Sequence, residues 1–185
     1  MNVYDFDGTI YAGDSTIDFY FHALKKSPRI LRFIPKQILG IILYVIKRID
    51  KTTLKSYFFC FLTLIDVEKT TSSFWTKNEN KILLWYKRQQ QPDDIIISAS
   101  PEFLLRPICK KLGIRHLIAS RVDENSGMFV EPNCYGIVKV QRFYDNYGNS
   151  NIENFYSDSL SDAPLANIAA NAFLIRNGTI TTWPQ

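Results

Sequence analysis

The chain has 185 residues, of which 46% are hydrophobic, 14% aromatic and 22% charged, and its formal net charge is +4. This length fits one domain, or one domain with a sizeable insertion, and the apolar content excludes a disordered or low-complexity chain. The three cysteines form no CxxC pair and the N-terminal MNVYDFDG lacks a secretory pattern, so we expect neither a disulfide framework nor a zinc site and place the protein in the cytoplasm.

The first part of the chain reads as a short strand followed by a long helical stretch. Residues 2–7, NVYDFD, alternate and are rich in strand-forming side chains, which predicts a strand. From Ser15 to about residue 91 the pattern is helical. We expect about four helices there, with a kink at Pro35 and a new helix start at Asp66.

The second part alternates strands and helices. Residues 95–98, IIIS, form an apolar run typical of a strand buried on both faces, and a helix starts near Ser100 and ends at Gly113. Further strands are predicted at 116–120, 153–157 and 172–175, and further helices from about 136 to 148 and from about 162. This alternation predicts an α/β fold with a Rossmann-like, doubly wound parallel sheet.

The helical stretch is both apolar and basic. Its two apolar runs, 37–46 and 56–65, are each ten residues long, whereas a membrane-spanning helix needs about 20 apolar residues. We therefore expect both runs to pack inside a small helical bundle. Residues 15–92 hold 14 Lys/Arg against 5 Asp/Glu, net +9, while the rest of the chain carries −5, so a basic segment interrupts an acidic one.

Acidic side chains follow two of the predicted strands. Ligands of parallel sheets bind at the carboxyl ends of the strands, where Asp5, Asp7, Asp158 and Asp162 would share one rim. Each pair alone is also good turn or helix-cap chemistry. Together, such like charges demand a cation, and Mg²⁺ suits a set of oxygen ligands best.

Four segments carry a resemblance to a known family. The segments are DFDGT (5–9), IISAS (96–100), CYGIVK (134–139) and YSDSLSDAP (156–164). In this order they resemble the four motifs of the haloacid dehalogenase-like phosphohydrolase superfamily, close to its phosphoserine-phosphatase-like branch. The resemblance covers nearly the whole chain. It implies a core domain made of residues 1–14 and 93–185, with residues 15–92 inserted as a helical cap over the active site.

The resemblance also implies catalytic roles. Asp5 would be the nucleophile that forms an aspartyl phosphate, and Asp7 would protonate the leaving oxygen and then activate water. An aspartate at position 7 favours phosphate ester hydrolysis over dehalogenation. Ser98 and the backbone around Ala99 would bind the phosphoryl oxygens, and Lys139 would balance the negative charge of the transferring group.

The same resemblance implies a metal site and a phosphate loop. Asp158 would bind Mg²⁺ together with the Asp5 carboxylate and the Asp7 backbone carbonyl, and Asp162 would orient either metal-bound water or Lys139. Two further residues, Gly8 and Thr9, would shape the phosphate loop. Asp14 lies nine residues beyond the nucleophile, where phosphoserine phosphatases place a substrate-contacting Glu, so it would either contact substrate or cap the first helix of the insert.

Three functions follow as hypotheses. The first is a Mg²⁺-dependent hydrolase of a small, soluble phosphorylated metabolite. The second is a lipid-phosphate phosphatase at a membrane surface, suggested by the basic residues that alternate with apolar runs in 25–65. The third is a binding module without turnover that contacts nucleic acid, which the intact motif residues argue against. Exposure of the apolar cap side chains would favour the second hypothesis over the first.

Overall fold

The computed structural model describes residues 1–184 and contains one six-stranded sheet in the order β3-β2-β1-β4-β5-β6. The strands are β1 (Asn2–Tyr4), β2 (Ile95–Pro101), β3 (His116–Ser120), β4 (Ile152–Ser157), β5 (Ala169–Arg176) and β6 (Thr179–Thr182). The first five pair in parallel, and β6 is antiparallel to β5. The predicted Rossmann-like parallel sheet is confirmed.

Eight α-helices accompany the sheet in the described residues, and five of them lie between β1 and β2. They are α1 (Ser15–Lys26), α2 (Ile34–Val45), α3 (Lys51–Phe59), α4 (Val67–Asn78), α5 (Leu84–Gln89), α6 (Glu102–Leu112), α7 (Ile137–Tyr147) and α8 (Ala163–Ala166). The insert has five α-helices where about four are expected, and Pro35 does not kink a helix. It occupies the first turn of α2, directly after a 3₁₀ helix at Pro28–Phe33.

Both faces of the sheet are covered. On one face Tyr4 and Ile96 join a buried cluster with side chains of the insert, among them Phe19, Phe74 and Tyr86. On the other face lies a second cluster, to which β1, β2, α7 and α8 contribute Val3, Ile95, Ile97, Phe143 and Leu165. The helical insert therefore helps to bury the sheet, and its treatment as a separate domain over 15–92 stays a prediction.

The chain departs from the predicted strands at two places. β1 ends at Tyr4, so the two aspartates that follow lie in the loop after the strand. The last strand is longer than 172–175 and turns into β6 through Asn177 and Gly178, which both have positive φ angles of 51° and 77°. An Asn-Gly pair is a strong hairpin signal, so this turn could have been found from the sequence.

The two apolar runs of the insert differ in burial. In 56–65 the side chains of Phe59, Phe61 and Leu62 are buried. In 37–46 most of the large apolar side chains of α2 are exposed, so the expectation that this run packs inside the bundle is wrong. The reason is that α2 contacts its neighbours through Gln37 and Gly40. No helix among residues 1–184 has the length and apolar character needed to cross a bilayer.

Candidate active site

A cavity of about 570 Å³ lies at the carboxyl ends of β1, β2 and β4. The topology brings nine of the ten predicted site residues to its wall, namely Asp5, Asp7, Gly8, Asp14, Ser98, Ala99, Lys139, Asp158 and Asp162. Thr9 is the tenth. It is fully buried and does not line the cavity.

The centre of the site is an ion-paired row of three buried side chains. Lys139 Nζ donates to Asp5 Oδ1 at 2.7 Å and to Asp162 Oδ2 at 2.7 Å, and the hydroxyl of Ser157 donates to the same Asp162 oxygen at 2.8 Å. Burial disfavours the charged ammonium, but the two carboxylates outweigh it and raise the pKa of Lys139. Asp162 therefore contacts Lys139, and its role in orienting that lysine or a metal-bound water stays a prediction.

Asp5 is buried and lines the cavity. Burial raises the pKa of Asp5, and the ammonium of Lys139 opposes part of this shift. Lys139 binds Oδ1, so Oδ2 is the carboxylate oxygen that the ammonium does not engage.

Two hydrogen bonds hold the carboxylate of Asp7, and a third group contacts one of the two donors. The Ser15 N–H donates to Oδ1 at 2.6 Å and the Ser100 hydroxyl donates to Oδ2, while the Thr16 hydroxyl lies 2.9 Å from that of Ser100. Burial raises the pKa of Asp7 to about 6 even though these hydrogen bonds oppose the shift. A carboxyl group with such a pKa can both give and accept a proton near neutral pH.

The loop after Asp7 positions Asp158. Gly8 has a φ of +71°, and a Cβ at this position would lie 2.0 Å from Asp158 Oδ2. The Thr9 hydroxyl accepts a hydrogen bond from the Asp158 N–H at 2.9 Å. Thr9 therefore holds the backbone of Asp158, and its side chain does not line the cavity in which a phosphate would bind.

Ser98 and Ala99 form the wall opposite this loop. Ser98 is buried, and its Oγ accepts the Ser100 N–H at 3.1 Å, which leaves the hydroxyl hydrogen free to be donated. The carbonyl of Ala99 accepts from Lys55 Nζ at 2.8 Å and from the Ser120 hydroxyl at 3.1 Å. This arrangement suits a phosphoryl oxygen that accepts from Ser98.

The insert closes the cavity with α3. Its residues on the wall are Lys51, Leu54, Lys55, Phe58 and Phe59. Lys55 Nζ also donates to Asn133 Oδ1 at 2.9 Å, and burial together with the nearby Lys51 lowers the pKa of Lys55 to about 8. The ammonium of Lys51 lies 3.4 Å from the centre of the Tyr135 ring. Two cap lysines therefore reach the acidic rim.

Sequence reasoning missed two of these residues. Ser100 stands two positions after Ser98, and residues two apart on a strand share a face, so this spacing was an available signal. Lys55 carried no such signal, because it is one of many lysines in the insert and nothing in its neighbours marks it. Asp14 caps α1, accepting the Ile17 N–H at 2.9 Å, and it also lines the cavity.

The donor set fits Mg²⁺. Within residues 1–184, no three His, Cys, Asp or Glu side chains lie close enough to hold a metal by themselves. The predicted set does not need three, since it uses the carboxylates of Asp5 and Asp158 and a backbone carbonyl, and Mg²⁺ is usually held by one or two carboxylates while it keeps several waters. Burial raises the pKa of Asp158 as well.

Comparisons with known proteins find relatives in sequence and in fold. A probable phosphatase of Mycobacterium tuberculosis strain H37Rv is 27% identical over 50% of this chain and 37% of that protein. The chain thus matches little more than a third of the length of this curated relative. A protein of unknown function from Bordetella pertussis Tohama I has a similar fold, with a TM-score of 0.73 at 17% identity over 93% of this chain and 87% of that one.

A second solved structure shares the fold. It is a phosphoserine phosphohydrolase-like protein from Francisella tularensis, with a TM-score of 0.57 at 16% identity over 93% of this chain and 86% of that one. The model of the haloacid dehalogenase-like hydrolase family matches residues 3–167, which include all four motifs. With its motif residues gathered in one cavity, the chain belongs to the haloacid dehalogenase-like hydrolase family.

Proposed function

We propose that the protein is a Mg²⁺-dependent phosphomonoester hydrolase that works through an aspartyl phosphate on Asp5. The observation that carries the proposal is the placement of Asp5 and Asp7 in one cavity, with Lys139 bonded to the first and Ser100 to the second. The name of the mycobacterial relative supports a phosphatase.

In the first step Asp5 Oδ2 attacks phosphorus and the bond from phosphorus to the leaving oxygen breaks. Asp7, whose pKa is raised by burial, gives its proton to that oxygen. Ser98 donates to a phosphoryl oxygen, and Lys139 balances the charge that gathers on the transferring group. The product alcohol then leaves an acyl phosphate on Asp5.

In the second step Asp7, now a carboxylate, accepts a proton from water. The water oxygen attacks phosphorus, the bond to Asp5 Oδ2 breaks, and inorganic phosphate is released with Asp5 restored. When bound, Mg²⁺ would supply positive charge between the phosphoryl group and the carboxylates of Asp5 and Asp158. Asp162 keeps Lys139 in place through both steps.

Two substrate classes fit the cavity wall. A small, soluble phosphorylated metabolite would fill a cavity of about 570 Å³ lined by Lys51 and Lys55. A lipid phosphate is the second candidate, and the exposed apolar side chains of α2 favour it, because a soluble substrate gives no reason for them. Hydrolysis rates with a water-soluble phosphomonoester and with the same headgroup on diacyl chains in mixed micelles would separate the two classes.

The test of the reaction is hydrolysis of p-nitrophenyl phosphate by purified protein with Mg²⁺, before and after chelation. Asp5→Asn should abolish turnover, because an amide neither attacks phosphorus nor supplies an anionic ligand. The matched control is Asp145→Asn, a surface aspartate on α7, which should keep the wild-type rate. Full turnover by folded Asp5→Asn protein, or in chelator with the metal site shown empty, would overturn the proposal.

A further inference from the structure

Helix α2 points its large apolar side chains to solvent and buries Gln37 and Gly40, which is the reverse of an ordinary surface helix. Its inward side carries Gln37, whose amide donates to the Phe58 carbonyl at 3.0 Å and accepts from the Tyr20 hydroxyl at 3.1 Å. Gly40 lies so close to α3 that a Cβ would be 2.5 Å from that of Tyr57. These contacts fix the rotation of α2, so its large apolar side chains cannot turn inward.

The outward side of α2 and the residue after it form one apolar surface, here called the α2 face. It consists of Ile34, Ile38, Leu39, Ile41, Ile42, Tyr44, Val45 and Ile46. Their exposure runs from 37% for Ile34 to 70% for Val45. Soluble proteins seldom expose so many neighbouring large apolar side chains without a binding partner.

Basic residues precede, interrupt and follow α2 along the chain. Residues 25–51 hold eight lysines and arginines, all exposed, against one acidic residue, Asp50, which caps α3. The basic residues are Lys25, Lys26, Arg29, Arg32, Lys36, Lys47, Arg48 and Lys51. Within residues 1–184, none of the eight forms a salt bridge. Lys51 lines the cavity, and the charge of the other seven is available to an external partner.

We propose that the α2 face docks on an anionic lipid bilayer, with the helix lying in the plane of the interface. An apolar helix face with a basic rim is the pattern of interfacial helices. At 12 residues α2 is too short to cross the hydrocarbon core, which is about 30 Å thick. A second copy of the chain fits less well, because pairing two α2 faces would bring the flanking basic residues of both copies together.

Docking in this orientation places the active site beside the membrane. α2 packs on α3, and α3 in turn supplies five residues of the cavity wall, Lys51, Leu54, Lys55, Phe58 and Phe59. A single helix thus separates the α2 face from the site. The docking itself does not depend on the proposed hydrolase activity, since it uses none of the catalytic residues.

Co-sedimentation with vesicles, measured without substrate, tests the proposal. Wild-type protein should bind vesicles of phosphatidylcholine with phosphatidylglycerol at physiological salt and bind pure phosphatidylcholine vesicles at least tenfold more weakly. The double variant Ile42→Asp with Val45→Asp should lose binding at least tenfold. The matched control is Met128→Asp with Val130→Asp, two similarly exposed apolar residues outside the insert, which should bind as wild type does.

A second variant tests the basic residues that flank α2 separately from its apolar face. Lys47→Gln with Arg48→Gln should lower the partition onto anionic vesicles about 30-fold, since each basic residue near the surface contributes about fivefold. The adjacent pair on α5, Lys87→Gln with Arg88→Gln, is the control with the same change in net charge. Circular dichroism confirms that each variant is folded.

Three results would overturn the proposal. They are equal binding to neutral and anionic vesicles, unchanged binding of the Ile42→Asp with Val45→Asp variant, and the absence of vesicle binding by a wild-type protein that sediments as a dimer. The last result would assign the α2 face to a second copy. A protein that docks but hydrolyses no phosphomonoester would leave this inference intact and refute the proposed function.

Discussion

Replacing Gly8 by alanine tests how closely the loop after β1 controls Asp158. The new Cβ would lie 2.0 Å from Asp158 Oδ2, whereas ordinary contacts begin at 3.4 Å. The carboxylate must therefore move by more than about 1 Å, and a displacement of that size in a catalytic site costs about 100-fold in rate. The φ of +71° adds a strain of about 1–2 kcal/mol to the folded state.

Gly113→Ala is the matched control, because Gly113 has a φ of +76° and a Cβ there would meet no atom within 4 Å. Both variants should lose about 1–2 kcal/mol in urea denaturation. Only Gly8→Ala should lose about 100-fold in kcat/KM on p-nitrophenyl phosphate and need more Mg²⁺ for half-maximal rate. A Gly8→Ala enzyme with wild-type kcat/KM and Mg²⁺ dependence would refute this account of the loop.

Three other substitutions test the remaining groups of the site. Lys139→Met should lower the free energy of unfolding by about 3–5 kcal/mol at pH 7, because it leaves Asp5 and Asp162 buried without a cation. The loss should be smaller at pH 5, where carboxylates take up protons. An equal loss at both pH values would contradict the ion-pair explanation. Burial lowers the pKa of Lys55 to about 8, so at pH values above 8 the ammonium deprotonates and the wild-type KM for an anionic substrate should increase. The KM of Lys55→Ala should be high at every pH. A constant wild-type KM from pH 7 to 9 would show that Lys55 does not contact substrate. Asp7→Asn should slow hydrolysis of an alkyl phosphate far more than that of p-nitrophenyl phosphate, whose leaving group needs no proton, and equal losses would argue against Asp7 as the acid.

The site could be predicted because its residues are tied to the ends of strands. Asp5 and Asp158 directly follow β1 and β4, Ser98 lies in the second half of β2, and parallel strands bring their carboxyl ends to one edge. Lys139 needed the family resemblance, since a lysine in a first helical turn has no feature of its own that places it in a cavity.

The orientation of the insert could not be predicted in the same way. The apolar run 37–46 has the composition of a buried helix, and its placement is decided by two small or polar residues, Gln37 and Gly40, that fit the surface of α3. Such a fit depends on Tyr57 and Phe58, which lie 17 or more residues away along the chain. Lys55 lies in the cavity wall because of the same helix packing, so its position could not be predicted either.

The most direct test of the account is the covalent intermediate itself. Wild-type and Asp7→Asn protein would be mixed with p-nitrophenyl phosphate and Mg²⁺, quenched, and reduced with borohydride, which converts an acyl phosphate of aspartate to homoserine. The account predicts homoserine at position 5, in a larger amount for Asp7→Asn because water attack is slowed. Release of p-nitrophenol at the normal rate with an unmodified Asp5, or with the modification at another aspartate, would contradict it.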